Sequence, residues 1–207
     1  LMLSHVPPFL LTGLGLLIGS VPAWPLVRQW RVPLGTLLLG VYGLFGFHFL
    51  LFIALRDAPP VTANLVNYLW PLFIVVLAPL FLRDLRFSLV HVGAALVGFA
   101  GAALAIVADR GGADATSGEF PWGYLAALAS AWVWASYSLL TKRVAHFPTA
   151  AIGLFGLVSG GLSLLCHLWL EPTVSLTGRD WGLLVLLGLG PLGAAFFLWD
   201  AALKRGD

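Results

Sequence analysis

The chain has 207 residues, of which 60% are hydrophobic and only 10% are charged, and its mean hydropathy is +0.96. Soluble domains carry roughly 25% charged residues, so this composition excludes an ordinary water-soluble domain and predicts a chain embedded in the lipid bilayer. The net charge of +2 is too small to predict a nucleic-acid partner. The single cysteine, Cys166, excludes an intrachain disulfide and a paired-cysteine metal site.

Seven apolar stretches are long enough to cross about 30 Å of hydrocarbon at ~1.5 Å per helical residue. Charged residues mark the gaps between them, and because most gaps are short we expect neighbouring helices to be antiparallel. The longest gap, 109–121, is polar and glycine-rich and predicts a connecting loop. The predicted spans are 6–25, 33–55, 61–82, 88–108, 122–141, 149–170 and 181–203.

The charges in the gaps are divided unequally between the two membrane faces. Alternate gaps lie on opposite faces, and one face then collects 8 of the 11 basic residues, whereas the other collects 3. Six acidic residues fall on the face that is poor in basic residues. The positive-inside rule therefore predicts that the basic face is cytoplasmic. It carries Arg28, Arg31, Arg83, Arg86, Lys142, Arg143, Lys204 and Arg205.

The second and seventh spans match when the sequence is shifted by 148 residues: Leu38-Leu39-Gly40 falls on Leu186-Leu187-Gly188, and Ala54-Leu55-Arg56 falls on Ala202-Leu203-Lys204. Chance matching of leucine-rich helices is the alternative. Because the two spans cross in opposite directions, the repeat is inverted, as in many secondary transporters. The third and fifth spans find no partner at this offset, which predicts five helices per repeat. The chain would then hold helices 2–5 in 1–108, a loop in 109–121 and helices 6–8 in 122–207, without helices 1, 9 and 10.

Three segments carry a family resemblance. The second span ends in Ala54-Leu55-Arg56-Asp57-Ala58-Pro59-Pro60, and the seventh ends in Trp199-Asp200-Ala201-Ala202-Leu203-Lys204-Arg205-Gly206. In these features the chain resembles the EamA type of the drug/metabolite transporter superfamily. The stretch Val66-Asn67-Tyr68-Leu69-Trp70-Pro71 is similar to a run that opens the fourth helix in the aromatic amino-acid exporter branch of that superfamily.

The resemblance implies an all-α integral membrane fold, a ten-helix bundle of 5+5 inverted repeats around a central midplane cavity. It implies a multi-pass protein of the bacterial inner membrane that exports aromatic amino acids, and other neutral amino acids or small metabolites, by alternating access. We expect a transporter rather than an enzyme, with no cofactor, acting as a monomer. Proton coupling and passive, gradient-driven exchange are both open.

The third span carries polar residues on one helical face. Asn64, Asn67, Tyr68 and Pro71 are spaced i, i+3, i+4 and i+7. Because polar side chains are costly in lipid, we expect this face to point into the bundle or a wet cavity. Pro71 has no N–H, which frees a carbonyl oxygen and can bend the helix. Asn64, Asn67 and Tyr68 are candidates for substrate binding, and asparagines that only join helices are the alternative. Trp70, on another side of the helix, either lines the cavity or packs on a neighbour.

Further candidates lie in the second and fifth spans. His48 is deep in the second span, where an ionisable group is a functional hypothesis by default. It could bind substrate, couple a proton or only bond a neighbouring helix. Trp132 falls near mid-membrane, whereas most membrane tryptophans lie at the interfaces. With Tyr137 it predicts an aromatic wall, where stacking on a substrate ring contributes ~0.5–1.5 kcal/mol beyond burial.

Three other functions compete with amino-acid export. A cationic-drug exporter needs a carboxylate inside the membrane, and Asp200, near the predicted cytoplasmic end beside Lys204, is the one acid in a span. A sugar-nucleotide carrier would need basic residues in its cavity, and none lies mid-span. An intramembrane enzyme has no support, because the sequence has no HExxH or GxSxG motif and no paired intramembrane aspartates. It has no P-loop either, so we expect no direct drive by ATP.

Overall fold

The computed structural model describes residues 5–82, 88–108 and 122–205. Within these ranges the chain is helical and contains no strand, which confirms the all-α class. The predicted loop 109–121 and the basic residues Arg83 and Arg86 lie outside the described residues. In chain order the α-helices are α1 Pro8–Ser20, α2 Leu34–Val41, α3 Phe47–Asp57, α4 Pro60–Asn67, α5 Trp70–Phe81, α6 Leu89–Ala108, α7 Trp122–Thr141, α8 Ile152–Leu170, α9 Gly178–Leu189 and α10 Ala195–Arg205.

Some of these α-helices follow one another through a 3₁₀ segment, a π segment or a short break, and together they form seven longer helical stretches, called rods here. Each rod overlaps one of the seven predicted spans. Five rods are long and apolar enough to cross a membrane, in the ranges Pro8–Trp30, Leu34–Asp57, Pro60–Phe81, Thr149–Leu170 and Gly178–Arg205. A shorter apolar stretch, Leu89–Gly101, belongs to α6. The α7 helix has 20 residues, but its Trp, Tyr and Ser side chains lower its mean hydropathy.

Among the described residues, four rods contain an interruption, and the sequence anticipates only the one in the third rod, where Pro71 predicts a bend. The first leaves the α-helix at Ser20 rather than at residue 25 and continues as a 3₁₀ segment, Val21–Trp30, because Pro22 and Pro25 have no N–H for the i→i−4 ladder. The third rod breaks between α4 and α5. The second and seventh rods contain one π-helical segment each, Tyr42–Gly46 and Gly190–Ala194.

The chain divides into two compact units, and the first consists of residues 1–48 and 144–207. At its centre α1 packs against α8 on one side and against α9 and the second π segment on the other. Glycines allow the close approach: a Cβ atom added at Gly160 would lie 2.9 Å from the Gly13 carbonyl oxygen, and one at Gly19 would lie 2.7 Å from the Gly188 carbonyl oxygen. Side chains at the contact of α1 with α9, including Val6, Leu11 and Leu184, form an apolar cluster.

The second unit consists of residues 49–143. Here α7 packs against α4 and α5, and α6 packs against both of these helices. The contact between α4 and α7 is built from small side chains, with Ala63 and Ala127 completely buried. The small side chains bring the backbones of the two helices together, and this contact determines which side chains of α4 and α7 stay uncovered.

Candidate functional site

The break in the third rod lies within the hexapeptide 66–71. The α4 helix ends at Asn67, Tyr68 has φ −66° and ψ 4°, and α5 begins at Trp70 with a proline in its first turn. Because Pro71 has no N–H, it cannot donate to the Asn67 carbonyl oxygen, which would be its partner in a continuous helix. The sequence predicts a bend here, and the structure shows two separate helices. Interrupted helices of this kind are where transporters commonly expose backbone groups to a substrate.

Two aromatic side chains are uncovered on this part of the second unit. Tyr68, at the break, is 49% exposed, and Trp132, on α7, is 46% exposed. The indole of Trp132 contacts the ring of Phe73 edge to face, with centroids 6.1 Å apart and an interplanar angle of 71°. Since Phe73 belongs to the first turn of α5, Trp132 lies beside the point where the third rod resumes. Phe73 cannot be singled out from the sequence, because one Phe among many in an apolar span gives no signal.

The two asparagines of α4 have different surroundings. The Asn67 side chain is buried, and its Oδ1 accepts a hydrogen bond of 2.7 Å from Ser130 Oγ on α7. The Asn64 side chain is partly exposed and its Nδ2 donates to the Pro60 carbonyl oxygen at 2.9 Å. Asn67 therefore joins two helices, and Asn64 bonds its own helix. Neither residue shares the exposure of Tyr68.

Trp70 and Tyr137 are less exposed than Trp132. Trp70, at the start of α5, is half-buried. Tyr137 is 3% exposed and lies against Trp134, with ring centroids 5.5 Å apart. Tyr137 therefore supports the packing of α7 in the second unit, whereas Trp132 on the same helix is accessible.

His48 belongs to the first unit and is buried. Its Nδ1 lies 2.6 Å from the Leu44 carbonyl oxygen, and because a carbonyl oxygen can only accept, this nitrogen is the donor. Its ring meets the rings of Phe47 and Phe196 edge to face, at 5.1 and 6.0 Å between centroids. Leu44 is part of the first π segment, so the backbone irregularity supplies the carbonyl that orients the imidazole.

Asp200 on α10 is completely buried, and the protein's own cation neutralises it. Its Oδ2 accepts a hydrogen bond of 2.5 Å from Lys204 Nζ. The same ammonium donates to the Phe147 carbonyl oxygen at 2.8 Å and stands 3.8 Å from the centroid of the Phe147 ring. Asp200 Oδ1 has no hydrogen-bond partner among the described residues. This carboxylate is thus committed to a structural ion pair at the end of α10.

Comparison with known proteins agrees with this helical arrangement. The model of the EamA-like transporter family matches residues 1–107 and 121–207. A protein of Ancylobacter novellus named "Aromatic amino acid exporter YddG" is 44% identical over 98% of the chain, and a "Probable amino-acid metabolite efflux pump" of Salmonella typhimurium is 32% identical over 72% of it. The Escherichia coli "Aromatic amino acid exporter YddG" is 26% identical over 93% of the chain.

A solved structure described as "Crystal structure of protein" superposes with a TM-score of 0.90 at 44% sequence identity, and it covers 98% of this chain. The chain in turn spans 71% of that structure. Of the three relatives it spans 72%, 50% and 67% of the length, in the order given above.

Proposed function

Since the chain belongs to the EamA-like transporter family, we propose that the protein exports aromatic amino acids, and other neutral amino acids or small metabolites, across the bacterial inner membrane. The observation that carries this proposal is the 44% identity, over 98% of the chain, to a relative named as an aromatic amino acid exporter. The family is one of multi-pass membrane transporters, so the chain is not an enzyme.

The side chains around the helix break suit an aromatic substrate. Tyr68 and Trp132 present a phenol and an indole on one unit, and Phe73 fixes the indole from the side. A substrate ring that stacks on them gains ~0.5–1.5 kcal/mol per contact beyond burial, which is weak enough for release. We assign substrate contact to Tyr68, Trp70 and Trp132, and a supporting role to Asn67 and Tyr137, which are buried. Asn64, on the same unit, stays a candidate polar contact for an amino acid, and His48, in the first unit, stays a separate candidate.

The same geometry disfavours a cationic-drug exporter. Such a carrier needs a carboxylate that can hold a cation and release it, and Asp200 already pairs with Lys204 at 2.5 Å. A cation that displaced the ammonium would leave the largely covered Lys204 without its partner, which is costly. A sugar-nucleotide carrier is disfavoured too, because the candidate residues around the break include no cation for a phosphate.

Transport by the full-length protein in liposomes tests the proposal. We expect uptake of labelled phenylalanine and tryptophan, and a rise of about 2- to 12-fold in the half-saturating concentration in Trp132→Ala, from the lost stacking contact of ~0.5–1.5 kcal/mol. Tyr68→Ala should behave in the same way. Trp122→Ala is the matched control, since Trp122 is a more exposed tryptophan (75%) at the N-terminal end of the same helix and is not part of the proposed site.

The outcome that would contradict amino-acid export is flux of a cationic dye but of no amino acid, with the dye flux abolished by Asp200→Asn. Equal losses in Trp122→Ala and Trp132→Ala would instead remove the binding role of Trp132 while leaving the transport function in place. A pH gradient across the same liposomes, applied to wild type and His48→Ala, separates proton-coupled from passive flux.

A further inference from the structure

The 3₁₀ segment Val21–Trp30 leaves its apolar side chains uncovered. Trp24 and Val27 are 51% and 54% exposed, Val21 and Leu26 are each 45% exposed, and Ala23 is the buried member of the segment. Apolar side chains open to the surroundings at the end of a membrane span are positioned to contact lipid.

The opposite side of the segment is fixed to α8. A Cβ atom added at Gly153 would lie 2.5 Å from the Ala23 Cβ and 3.0 Å from Cζ2 of Trp30, so both side chains press on the α8 backbone. In addition, Trp24 Nε1 donates to Ser20 Oγ at 3.1 Å, which orients the exposed indole. One face of the segment therefore packs on α8, and the other face is left exposed.

The length of the first rod places this segment at the edge of the hydrocarbon. The other end of α1 is marked by a carboxylate: Glu171 accepts from the Phe9 and Leu10 amides at 2.9 and 3.2 Å. From there the 13 residues of α1 rise ~20 Å. The remaining ~10 Å of a ~30 Å core needs about five 3₁₀ residues at ~2.0 Å each, which brings the boundary to about Pro25. Trp24, Leu26 and Val27 then lie at the boundary, and Arg28 lies among the headgroups.

The charges at this end of the first unit are positive. Arg28 and Arg31 are exposed, and no described residue forms an ion pair with either of them. The turn Thr149–Ala151, on which the segment packs, also contacts α10, whose last residue is the exposed Arg205. Among the described residues of this region the acid is Asp200, which is occupied by Lys204. Arg28 and Arg31 thus place two guanidinium groups without an ion-pair partner beside an exposed face of aromatic and apolar side chains. The guanidinium groups suit a lipid phosphate, and the apolar face suits the acyl chains of the lipid.

We propose that the segment 21–31 is a binding site for an anionic phospholipid. Arg28 and Arg31 hold the lipid phosphate, and Trp24, Leu26 and Val27 contact the glycerol region and the upper acyl chains. The site is separate from the residues assigned to transport, and it would fix the depth of the first rod in the bilayer.

Native mass spectrometry of the full-length protein in detergent, titrated with phosphatidylglycerol or with phosphatidylcholine of the same acyl chains, measures the preference. An arginine near an anionic surface contributes about fivefold in affinity. The double variant Arg28→Gln/Arg31→Gln should therefore lose roughly 25-fold in phosphatidylglycerol affinity, with little change for phosphatidylcholine. Arg179→Gln is the matched control, because Arg179 is an exposed arginine near the exposed Trp181 at the start of α9. It should bind both lipids as wild type does.

Equal phosphatidylglycerol affinity in wild type and in the double variant would overturn the proposal. So would a preference that an excess of inorganic phosphate abolishes, since the site would then bind free anions. A second measurement localises the lipid: brominated phosphatidylglycerol should quench the fluorescence of wild type more than that of Trp24→Phe. Identical quenching in the two proteins would place the lipid elsewhere and also overturn the proposal.

Discussion

The pair of Asp200 and Lys204 illustrates how burial decides what a charged residue contributes. The Asp200 side chain is fully buried and the Lys204 side chain is 18% exposed, whereas Arg56 and Asp57 pair at 2.7 Å with side chains 66% and 35% exposed. Removing one partner of a buried pair leaves a charge without compensation, and the usual cost is ~3–5 kcal/mol. An exposed pair contributes ~0–1 kcal/mol.

We therefore expect Lys204→Met to lower the free energy of unfolding by about 3 kcal/mol. The double variant Asp200→Asn/Lys204→Met should recover part of this loss, because the uncompensated carboxylate is gone. Arg56→Met serves as the control and should change stability by less than about 1 kcal/mol. Denaturation of the full-length protein in detergent micelles gives these differences, and an unaltered stability in Lys204→Met would mean that Asp200 does not need the ammonium.

Residue spacing along one helix predicts which residues share a face but not which face is covered. Trp132 and Tyr137 are five positions apart on α7, which separates them by ~140° around the helix. The sequence makes both of them candidates for an aromatic wall. In the structure α7 packs on α4 and α5, and Tyr137 is buried whereas Trp132, which touches Phe73 of α5, is 46% exposed. The covering helices are far away in the sequence, and the periodicity of α7 holds no information about them.

At the scale of helices, the internal repeat extends to irregularities that the sequence does not predict. The π segments Tyr42–Gly46 and Gly190–Ala194 are separated by 148 residues, the offset at which the sequence matches itself. The α3 and α10 helices that follow them keep the same offset at both ends. The leucine matches at this offset are compatible with chance, whereas a π segment at the equivalent place in both rods is a rarer feature. The sequence match predicts that the second and seventh rods are equivalent. It does not predict their π segments, because the extra residue in a π-helical turn leaves no pattern in the sequence.

Residues that are equivalent by this repeat also meet in space within the first unit. His48 and Phe196 are 148 positions apart and their rings are in contact at 6.0 Å between centroids. Leu44 and Leu192, also equivalent, line the same narrow crevice. Equivalent positions can touch only beside the axis that relates the two repeats. His48 therefore has a location, as well as a chemistry, that is distinct from those of the other histidines.

Helix packing at the α1–α8 contact gives a test that uses two adjacent glycines. A Cβ atom at Gly160 would lie 2.9 Å from the Gly13 carbonyl oxygen, whereas one at Gly161 would have no neighbour within 4 Å. Because the Gly13 oxygen is backbone and cannot move aside, we expect Gly160→Ala to destabilise the protein by about 1–3 kcal/mol. Gly161→Ala should be neutral or stabilise it by up to ~1 kcal/mol through helix propensity. Thermal unfolding of both variants in one detergent decides this, and equal effects would contradict the close approach.

At the scale of the whole molecule, the apolar composition predicts a membrane protein, and the apolar stretches predict its seven spans. Hydropathy alone does not identify α7 as a span, although more of its residues are buried than in any other described helix. The Ser, Trp and Tyr residues of α7 lower its hydropathy, yet most of its side chains are buried. Its hydroxyl groups bond to its own backbone, as Ser138 Oγ does to the Trp134 carbonyl oxygen at 2.8 Å and Thr141 Oγ1 to the Tyr137 carbonyl oxygen at 2.8 Å. A helix that contacts other helices rather than lipid tolerates small polar residues, so low hydropathy at this position reflects packing.

The distribution of charge predicts the orientation of the protein, and α8 provides the simplest test of it. The connections before and after α8 contain the exposed residues His146 and Ser175, and its 19 residues span ~29 Å, which is one membrane crossing. By the positive-inside rule the side of Lys142 and Arg143 is cytoplasmic and the side of Glu171 is external. In a full-length protein with its other cysteines replaced, including Cys166→Ala, we expect Ser175→Cys to react with an impermeant maleimide in intact cells. His146→Cys should react only after lysis. The reverse pattern would invert the orientation, and reaction of both cysteines from outside would mean that α8 does not cross the membrane.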